Sequence, residues 1–367
     1  MLKRLYVHNL RAFVNFEWKP PAACVIVGPN GAGKSALLEV LWFLQEVLVD
    51  GKRVEDNWLE ATTTAWLKEP EQTIEVDIEH LGETFNYRIV ARRELGGPAL
   101  HEELRAGDGL LYQSDSGKVS LFGNVPSQQA RTTIPFDRRR SFLAVLEPRP
   151  DNKRLIAFRD AVQSIWAMKP DPRRISGAAQ EESRSLVRDL SNFANWYRAK
   201  VAEDPDAAEQ MRADLRSALS GFAQLRLEPV TQEIKDLRTR FEFGGRTHEL
   251  PWARLSDGQR QLIALYGMLR FGLSKASTIV LDEIENYVAP SEIQPWLRAV
   301  GDVSHDGGKQ LIVISHHPEA IDYLAADAVW RMWRDRDAGH TRIALLEPDR
   351  STGESAYDIV KRAPADA

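Results

Sequence analysis

The sequence predicts an α/β protein that carries an antiparallel β subdomain and a helical lobe. Short apolar runs at residues 24–27 and 278–281 are typical of buried parallel strands. Alternating apolar and charged residues at 74–78 indicate strands with one solvated face. Between residues 151 and 225, apolar residues recur at helical spacing instead.

Composition limits the class of protein. The 367 residues are 43% hydrophobic and 28% charged, which is typical of a soluble globular chain. No apolar run approaches the roughly 20 residues needed to cross a membrane, and the N-terminus lacks a signal-peptide core. The single cysteine, Cys24, excludes an intramolecular disulfide and predicts a buried strand residue in a reducing, cytoplasmic setting. With a net charge of −5, any contact with nucleic acid must come from a local basic patch.

The N-terminal part is predicted to be mainly strand. Residues 2–18 form strands, and a helix follows the next glycine-rich loop to about residue 50. Alternation at 74–78 and at 87–91 predicts an antiparallel meander, and the Gly- and Ser-rich stretch 94–135 predicts hairpins and loops.

Helical stripes are predicted next. They comprise Phe158, Val162, Ile165 and Trp166, then Leu186, Leu190, Phe193, Trp196 and Tyr197, then Leu215, Leu219 and Phe222. Further along we expect strands at 240–243, 278–281, 311–314, 330–333 and 340–346, and helices at 259–273 and 291–300. The predicted division is an N-terminal lobe 1–145, a helical lobe 146–235, a C-terminal core part 236–350 and a polar tail 351–367.

A glycine-rich loop at 28–35 reads GPNGAGKS, which is a complete G-x-x-x-x-G-K-[ST] pattern between a predicted strand and a predicted helix. Main-chain N–H groups and the helix dipole make such a loop an anion cradle. Lys34 is expected to reach the β- and γ-phosphates of a nucleotide, and the Ser35 hydroxyl to hold Mg²⁺. The predicted binding residues of this loop are Asn30, Gly31, Gly33, Lys34 and Ser35.

Two adjacent acids, Asp282 and Glu283, follow the apolar run 278–281. Sites in parallel sheets lie at the carboxyl ends of the strands. Asp282 is therefore predicted to hold Mg²⁺, and Glu283 to act as the base that orients the attacking water. The alternative is that both acids only open a loop.

The stretch 255–261 reads LSDGQRQ and opens an apolar helix. Ser256 is a natural N-cap, and Gly258 allows close approach of a main chain. Ordinary helix capping is the alternative interpretation of Ser256, Gly258 and Gln259. After the strand at 311–314, His316 is predicted to contact the γ-phosphate or the attacking water, and His317 is interpreted as a neighbour; the alternative for His316 is a surface histidine.

The ordered motifs GPNGAGKS, LSDGQ, VLDE and SHHP resemble those of the ABC-type ATPase heads of the SMC, Rad50, RecF and OLD group. The chain looks most like short, stand-alone bacterial ATPases that are classed in the AAA family. Residues 7–13 look like the opening strand of such heads, 282–286 look like their D-E-P-E-N motif, and 192–197 resemble part of their helical lobe. The resemblance covers about residues 1–345 and implies a P-loop NTPase of ABC-ATPase head type.

This resemblance implies Mg²⁺-dependent ATP hydrolysis by a homodimer that sandwiches two ATP molecules. Ser256, Gly258 and Gln259 of one copy would contact the γ-phosphate bound by Lys34 of the other. Arg11 is a candidate for phosphate contact, the alternative being a surface strand arginine. Gln72 is a candidate metal ligand, the alternative being an exposed turn residue. The chain departs from the group at Ile284 and at 287–290, where YVAP stands in place of the usual G-L-H-P.

Other classes fit the sequence less well. A transporter subunit is disfavoured because residues 36–254, between the phosphate loop and the signature, leave room for a large meander and lobe. A nuclease domain of OLD type is not expected in the stretch after His316, so any nuclease would be a separate chain. No membrane contact is expected.

Two biological roles remain. The first is a regulatory ATPase that controls a separate effector, such as a nuclease or toxin, in a bacterial antiviral defence system. The alternative is a DNA-associated ATPase of repair or genome maintenance. The basic clusters Arg92-Arg93, 138–140 and Arg173-Arg174 could touch DNA phosphates, or could be solvated faces balanced by acids. Trp196, Trp252 and Trp296 are predicted as core or interface anchors.

Overall fold

Two units, each with its own core, account for the residues that the computed structural model describes, which are 1–124, 130–324, 329–346 and 356–362. The first unit comprises Met1–Trp166 and Asp327–Ala367, and the second comprises Ala167–Ala326. In the described residues, no helix is long and apolar enough to span a bilayer.

The secondary structure is numbered along the chain. The strands are β1 (Leu2–His8), β2 (Phe16–Trp18), β3 (Ala23–Val27), β4 (Glu71–His80), β5 (Glu83–Glu94), β6 (Gly97–Ala106), β7 (Gly109–Asp115), β8 (Lys118–Leu121), β9 (Thr132–Pro135), β10 (Ile165–Met168), β11 (Ala178–Ala179), β12 (Phe222–Pro229), β13 (Lys235–Phe243), β14 (Arg246–Pro251), β15 (Thr278–Asp282), β16 (Gln310–Ile314), β17 (Val329–Arg334) and β18 (Thr341–Leu346). The helices are α1 (Lys34–Leu48), α2 (Asp56–Thr62), α3 (Lys153–Gln163), α4 (Phe193–Glu203), α5 (Pro205–Ala218), α6 (Asp257–Gly267), α7 (Pro290–Asp306), α8 (Pro318–Leu324) and α9 (Ala356–Arg362).

An eight-stranded sheet dominates the first unit, in the order β2-β1-β4-β5-β6-β7-β8-β9. Neighbouring strands are antiparallel, as the alternating residues predict. Ile74, Val76 and Ile78 are buried, and the acids between them lie on the other face of β4. The stretch 94–135 contributes hairpins to the same sheet, so the predicted meander is confirmed and is longer than the sequence indicated.

A second set of strands in this unit carries the phosphate loop. Here β3 pairs with β17 in parallel, and β17 pairs with β18 antiparallel. Val25, Ile26 and Val27 are buried, which explains why the run before the loop is wholly apolar. Cys24 is buried in β3, as predicted, and burial raises the pKa of its thiol.

A buried carboxyl group links three strands of the large sheet. Glu102 on β6 accepts hydrogen bonds from the hydroxyls of Tyr87 (2.6 Å), Tyr112 (2.8 Å) and Ser141 (2.6 Å). Burial raises the pKa of Glu102, although these three hydrogen bonds favour the carboxylate.

Replacing Glu102 with Ala is expected to lower the free energy of unfolding by about 3 kcal/mol, because three buried hydroxyls lose their acceptor. Denaturant melts followed by tryptophan fluorescence measure this loss. Glu103→Ala, the neighbour on β6, is the control and should change stability by less than about 0.5 kcal/mol. Equal losses of stability in both variants would contradict a stabilising role for the hydrogen bonds to Glu102.

This carboxyl group also gives stability a pH dependence with a definite sign. Its folded pKa lies above the ordinary value of a glutamate carboxyl, so folding favours the protonated form. The contribution of Glu102 is therefore complete below that value and is lost as pH rises through the folded pKa. In the same melts, Glu102→Gln should remove this part of the pH dependence.

The second unit contains a parallel pair and an antiparallel ribbon. β15 pairs with β16 in parallel, and each residue from Thr278 to Asp282 is buried. β13 pairs with β12 along one edge and with β14 and β11 along the other. Trp196, Trp252 and Trp296 are buried, which confirms their prediction as anchors.

The predicted helical stripes are only partly correct. Helix α3 ends at Gln163, where the Ser164 hydroxyl donates to the carbonyl of Ala161, so Ile165 and Trp166 belong to β10. Leu190 has a φ of 62°, which a right-handed helix excludes, and α4 begins only at Phe193. Phe222 starts β12.

Segment 146–235 therefore contains strands as well as α3, α4 and α5, and the predicted domain boundaries stay a prediction. Of the polar tail, α9 is described, whereas residues 347–355 and 363–367 lie outside the described residues.

Candidate functional site

The phosphate loop joins β3 to α1 in the first unit, and close packing leaves no room for a side chain at two of its glycines, Gly28 and Gly33. Gly33, the N-cap of α1, has a φ of 105°, and a Cβ there would lie 2.8 Å from Thr341 Oγ1. At Gly28 a Cβ would lie 2.1 Å from the carbonyl oxygen of Met332 on β17. The strand packing of this unit therefore fixes the loop in shape.

Lys34 supplies a fixed positive charge inside this loop. Its ammonium donates to the carbonyl oxygens of Gly28 (2.6 Å) and Pro29 (3.1 Å), and the side chain is buried. Asn30 and Gly31 are exposed at the tip of the loop, and Ser35 is exposed in the first turn of α1. The first unit thus places all five loop residues around a helix N-terminus, as an anion site needs.

Arg11 lies beside α1, with a φ of 55°. Its Nε donates to Glu39 Oε2 on that helix (2.7 Å), and its Nη1 donates to the carbonyl oxygen of Ala61 (2.8 Å). The guanidinium is thus already bound on two sides, and its approach to phosphate stays a prediction.

Gln72 lies in β4 and is buried, so the alternative of an exposed turn residue is wrong. Its amide Nε2 donates to the hydroxyls of Thr62 (3.1 Å) and Thr63 (3.4 Å). A metal-ligand role would require this amide to exchange partners, and that role also stays a prediction.

In the second unit, the two acids and His316 lie at the same edge of a parallel strand pair. Asp282 ends β15 directly beside Ile314, which ends β16. The main-chain N–H of Glu283 donates to the carbonyl of Ile314 (2.9 Å), and Ser315 and the exposed His316 follow. The rule that sites in parallel sheets lie at the carboxyl ends of the strands therefore correctly predicted that these residues lie close together.

The backbone at Glu283 is strained, with a φ of 50°. Non-glycine residues in this region are uncommon and cluster at functional sites. The carboxylate is partly exposed, and its Oε2 accepts a hydrogen bond from Asn286 Nδ2 (3.2 Å). This turn holds the side chain of Glu283 apart from the buried strand that precedes it.

Lys169 is a residue that sequence reasoning missed. Its Nζ lies 2.6 Å from Asp282 Oδ2, and the Asp282 side chain is 1% exposed. A buried carboxylate needs a cationic partner, and Lys169 provides one. The only local signal is a lysine directly after the short apolar run of β10, which is too common a pattern to be specific.

A polar network supports the strand ends from behind. Buried Ser315 donates its hydroxyl hydrogen bond to Glu285 Oε1, and its Oγ accepts from the His317 main chain (2.9 Å). Burial raises the pKa of Glu285, against the effect of the Ser315 hydrogen bond. Gln261 on α6 donates through Nε2 to the carbonyl of Ile284 (3.0 Å). The loop after Glu283 is thereby tied to the helix that begins with the signature.

The signature residues cap that helix. Ser256 Oγ accepts from the Gln259 main chain (3.2 Å), and Gln259 Oε1 accepts from the Ser256 main chain (3.0 Å), which completes a capping box. A Cβ at Gly258 would lie 2.5 Å from the carbonyl oxygen of Tyr287, so glycine is required there. The capping interpretation is confirmed, and it leaves Ser256 exposed at the start of α6.

Tyr287 belongs to the loop that departs from the group's pattern. It has a φ of 73°, and its ring is 48% exposed. The guanidinium carbon of Arg173 lies 5.3 Å from the ring centre, within the range of a cation–π contact.

The basic clusters are paired with acids. These pairs are Arg92 with Glu71, Arg93 with Glu60, Arg138 with Glu94, Arg139 with Glu55 and Asp137, Arg173 with Asp171, and Arg174 with Asp189. Arg140 donates instead to the carbonyl of Gly51. This arrangement favours the solvated-face alternative over a dedicated DNA surface.

Comparison with known proteins supports the fold. The chain is 22% identical over 383 residues to an "OLD nuclease" of Thermus scotoductus, covering 98% of this chain and 67% of that protein. An SMC head bound to the C-winged helix domain of ScpA superposes with a TM-score of 0.61 at 13% identity, covering 95% of this chain and 99% of that chain. An Smc head domain from Pyrococcus furiosus, with an extended coiled coil and bound to the C-terminal domain of ScpA, has a TM-score of 0.54 at 12% identity, covering 96% and 98%.

These similarities confirm the predicted fold class, a P-loop ATPase head like those of the SMC and OLD group. A family model described as "AAA domain, putative AbiEii toxin, Type IV TA system" matches residues 24–322. Because this match spans most of the sequence, the chain belongs to that AAA-domain family.

Proposed function

We propose that this chain hydrolyses ATP with Mg²⁺, and that two copies close on two ATP molecules as a head dimer. The main support is that Asp282, Glu283 and His316 lie together at one edge of a parallel strand pair. The same chain also has a complete phosphate loop. A strained glutamate beside a buried aspartate is the arrangement that water activation and metal binding need.

The residues fit the proposed roles. Ser35 and Asp282 supply a hydroxyl and a carboxylate oxygen, the hard ligands that Mg²⁺ prefers. The pairing of Asp282 with Lys169 supports a cation beside this carboxylate. When bound, Mg²⁺ would neutralise part of the negative charge on the phosphates. Lys34 holds the β- and γ-phosphates, Glu283 orients the attacking water and accepts its proton, and His316 contacts the γ-phosphate side of the reaction.

Phosphate release from ATP tests this function directly. The unchanged chain should turn over ATP only with Mg²⁺, and Lys34→Ala should lose ATP binding and turnover together, because the loop loses its fixed charge. Lys19→Ala, outside the loop, is the control. Turnover that persists in purified Lys34→Ala would overturn the proposal.

The Lys169–Asp282 pair predicts a metal-dependent stability. Lys169→Met leaves the carboxylate of Asp282 without this partner, and we expect a loss of about 1–2 kcal/mol in EDTA, because the lysine is partly exposed. Added Mg²⁺ should restore stability, and the rise in melting temperature should exceed that of the unchanged chain. Lys275→Met, an exposed lysine of the same unit, should show neither effect; equal Mg²⁺ responses in all three would contradict the pairing.

For the biological role, we propose a regulatory ATPase that controls a separate effector protein in a bacterial defence-type system. The family's description as a putative toxin of a Type IV toxin–antitoxin system supports the defence-type setting, and the pairing of the basic clusters with acids disfavours the DNA-associated alternative. Recovery of a nuclease or toxin encoded by a neighbouring gene would support it. ATPase activity that DNA stimulates with a steep salt dependence would favour the alternative, a DNA-associated ATPase.

A further inference from the structure

A cavity of about 590 Å³ lies in the second unit, bounded by α4, α5, β12 and the start of β13. Its lining contains none of the phosphate-loop, strand-end or signature residues. The volume falls in the range of sites for small organic ligands, roughly 300–1,000 Å³. The proposed ATP hydrolysis therefore does not explain this cavity.

Positive charge predominates in this cavity. Four cationic side chains line it, against the two acids Glu182 and Glu228. Glu182 lies 3.6 Å from Arg198, and Glu228 lies 3.9 Å from Arg238, which is outside the lining. The cations that line the cavity are Arg198, Arg212, Arg226 and Lys235.

Two of these cations have no partner among the residues that the structure describes. Neither Arg226 nor Lys235 forms a side-chain hydrogen bond or an ion pair there, whereas Arg212, which also lines the cavity, is paired with Glu209. Arg198 is held in place by the carbonyls of Ala179 (3.4 Å) and Glu233 (2.9 Å). Its covered Nε has Glu182 Oε1 at 3.6 Å, which is an ion-pair contact and not a hydrogen bond. A buried donor without an acceptor is costly unless something supplies one.

Apolar side chains also line the cavity. Tyr197 and Leu225 are buried and face the cavity, with Val201 and Leu227 beside them. Burial raises the pKa of Tyr197 to about 12, so its hydroxyl remains a neutral donor. A cavity lined by cationic groups together with aromatic and aliphatic groups suits a ligand that has an anionic head and a flat apolar body.

We propose that this cavity binds a nucleoside monophosphate or a similar phosphate ester, at a site independent of the phosphate loop. Arg226, Lys235 and Arg198 hold the phosphate, and the Tyr197 wall packs against the base. The phosphate would supply the acceptors that these donors lack.

Isothermal titration calorimetry on the full chain carrying Lys34→Ala tests this proposal, because nucleotide binding at the phosphate loop is then removed. The probes are AMP, GMP, CMP, UMP and inorganic pyrophosphate. We expect at least one nucleoside monophosphate to bind with a submillimolar Kd and more tightly than pyrophosphate. Arg226→Glu combined with Lys235→Glu should weaken it at least tenfold, since charge-assisted hydrogen bonds are lost.

Arg246→Glu is the matched control, a charge reversal on β14 of the same ribbon but outside the cavity, and it should leave the Kd unchanged. Thermal melts confirm that each variant is folded. The proposal is overturned if no monophosphate binds, if pyrophosphate binds equally well, or if Arg246→Glu weakens binding as much as the double variant. Because hydrolysis is not measured, failure here leaves the proposed ATPase function intact.

Discussion

Glu283→Gln is expected to lower ATP turnover by roughly 10²–10⁴-fold while ATP binding persists, because glutamine cannot accept the proton of the attacking water. The substitution preserves size, and the amide oxygen can still accept the hydrogen bond from Asn286. Phosphate release and nucleotide binding should be measured on the same preparation. Light scattering after size exclusion should show ATP-bound dimers that accumulate, since hydrolysis no longer separates them.

The control for this experiment is Glu292→Gln on α7, the same chemical change at a partly exposed position of the same unit. It should leave turnover and dimer lifetime unchanged. Normal turnover in folded Glu283→Gln would remove Glu283 from the role of base. Loss of ATP binding in that variant would show instead that the carboxylate serves the ground state.

Mixing two inactive variants is expected to restore activity if the signature and the phosphate loop act in trans. Lys34→Ala removes the loop's charge, and Ser256→Arg blocks the signature, so each homodimer contains only damaged sites. A mixed dimer contains one site in which both parts are intact. With random pairing in a two-fold dimer, about a quarter of all sites should be active.

Capping complicates the choice of signature variant, because Ser256 also caps α6. Ser256→Asp is therefore the sharper second variant, since aspartate caps a helix as well as serine does but would repel a γ-phosphate. Loss of turnover with an unchanged melting temperature separates the two roles of this residue. If heterodimers verified by mass show no recovered turnover with either variant, the paired-site model fails.

Motifs at the ends of buried strands could be predicted from sequence alone. The apolar runs fixed β3, β15 and β16, and parallel pairing of β15 with β16 then required Asp282 and the residues after Ile314 to be neighbours. The capping box was likewise visible in the spacing of Ser256 and Gln259.

Other features depend on tertiary contacts that local patterns do not encode. Ile165 and Trp166 continue the helical spacing of α3, yet a capping serine ends that helix before them. Lys169 and Asp282 form an ion pair although they are 113 positions apart in the sequence, and the local sequence around either residue does not indicate the other. The alternative interpretation of Gln72 as an exposed turn residue failed because strand β4 carries this residue into the interior.

Tyr287 stands where the sequence departs from the G-L-H-P pattern that it otherwise resembles. Its left-handed backbone is a conformation that glycine adopts freely. Gly258 packs against the carbonyl oxygen of Tyr287, so the signature helix contacts the main chain of this residue there and not its side chain. The tyrosine side chain, which Arg173 contacts, stands at the surface and takes no part in that packing. A change of side chain at this position would therefore alter the surface that a partner meets, while the contact with Gly258 stays with the main chain.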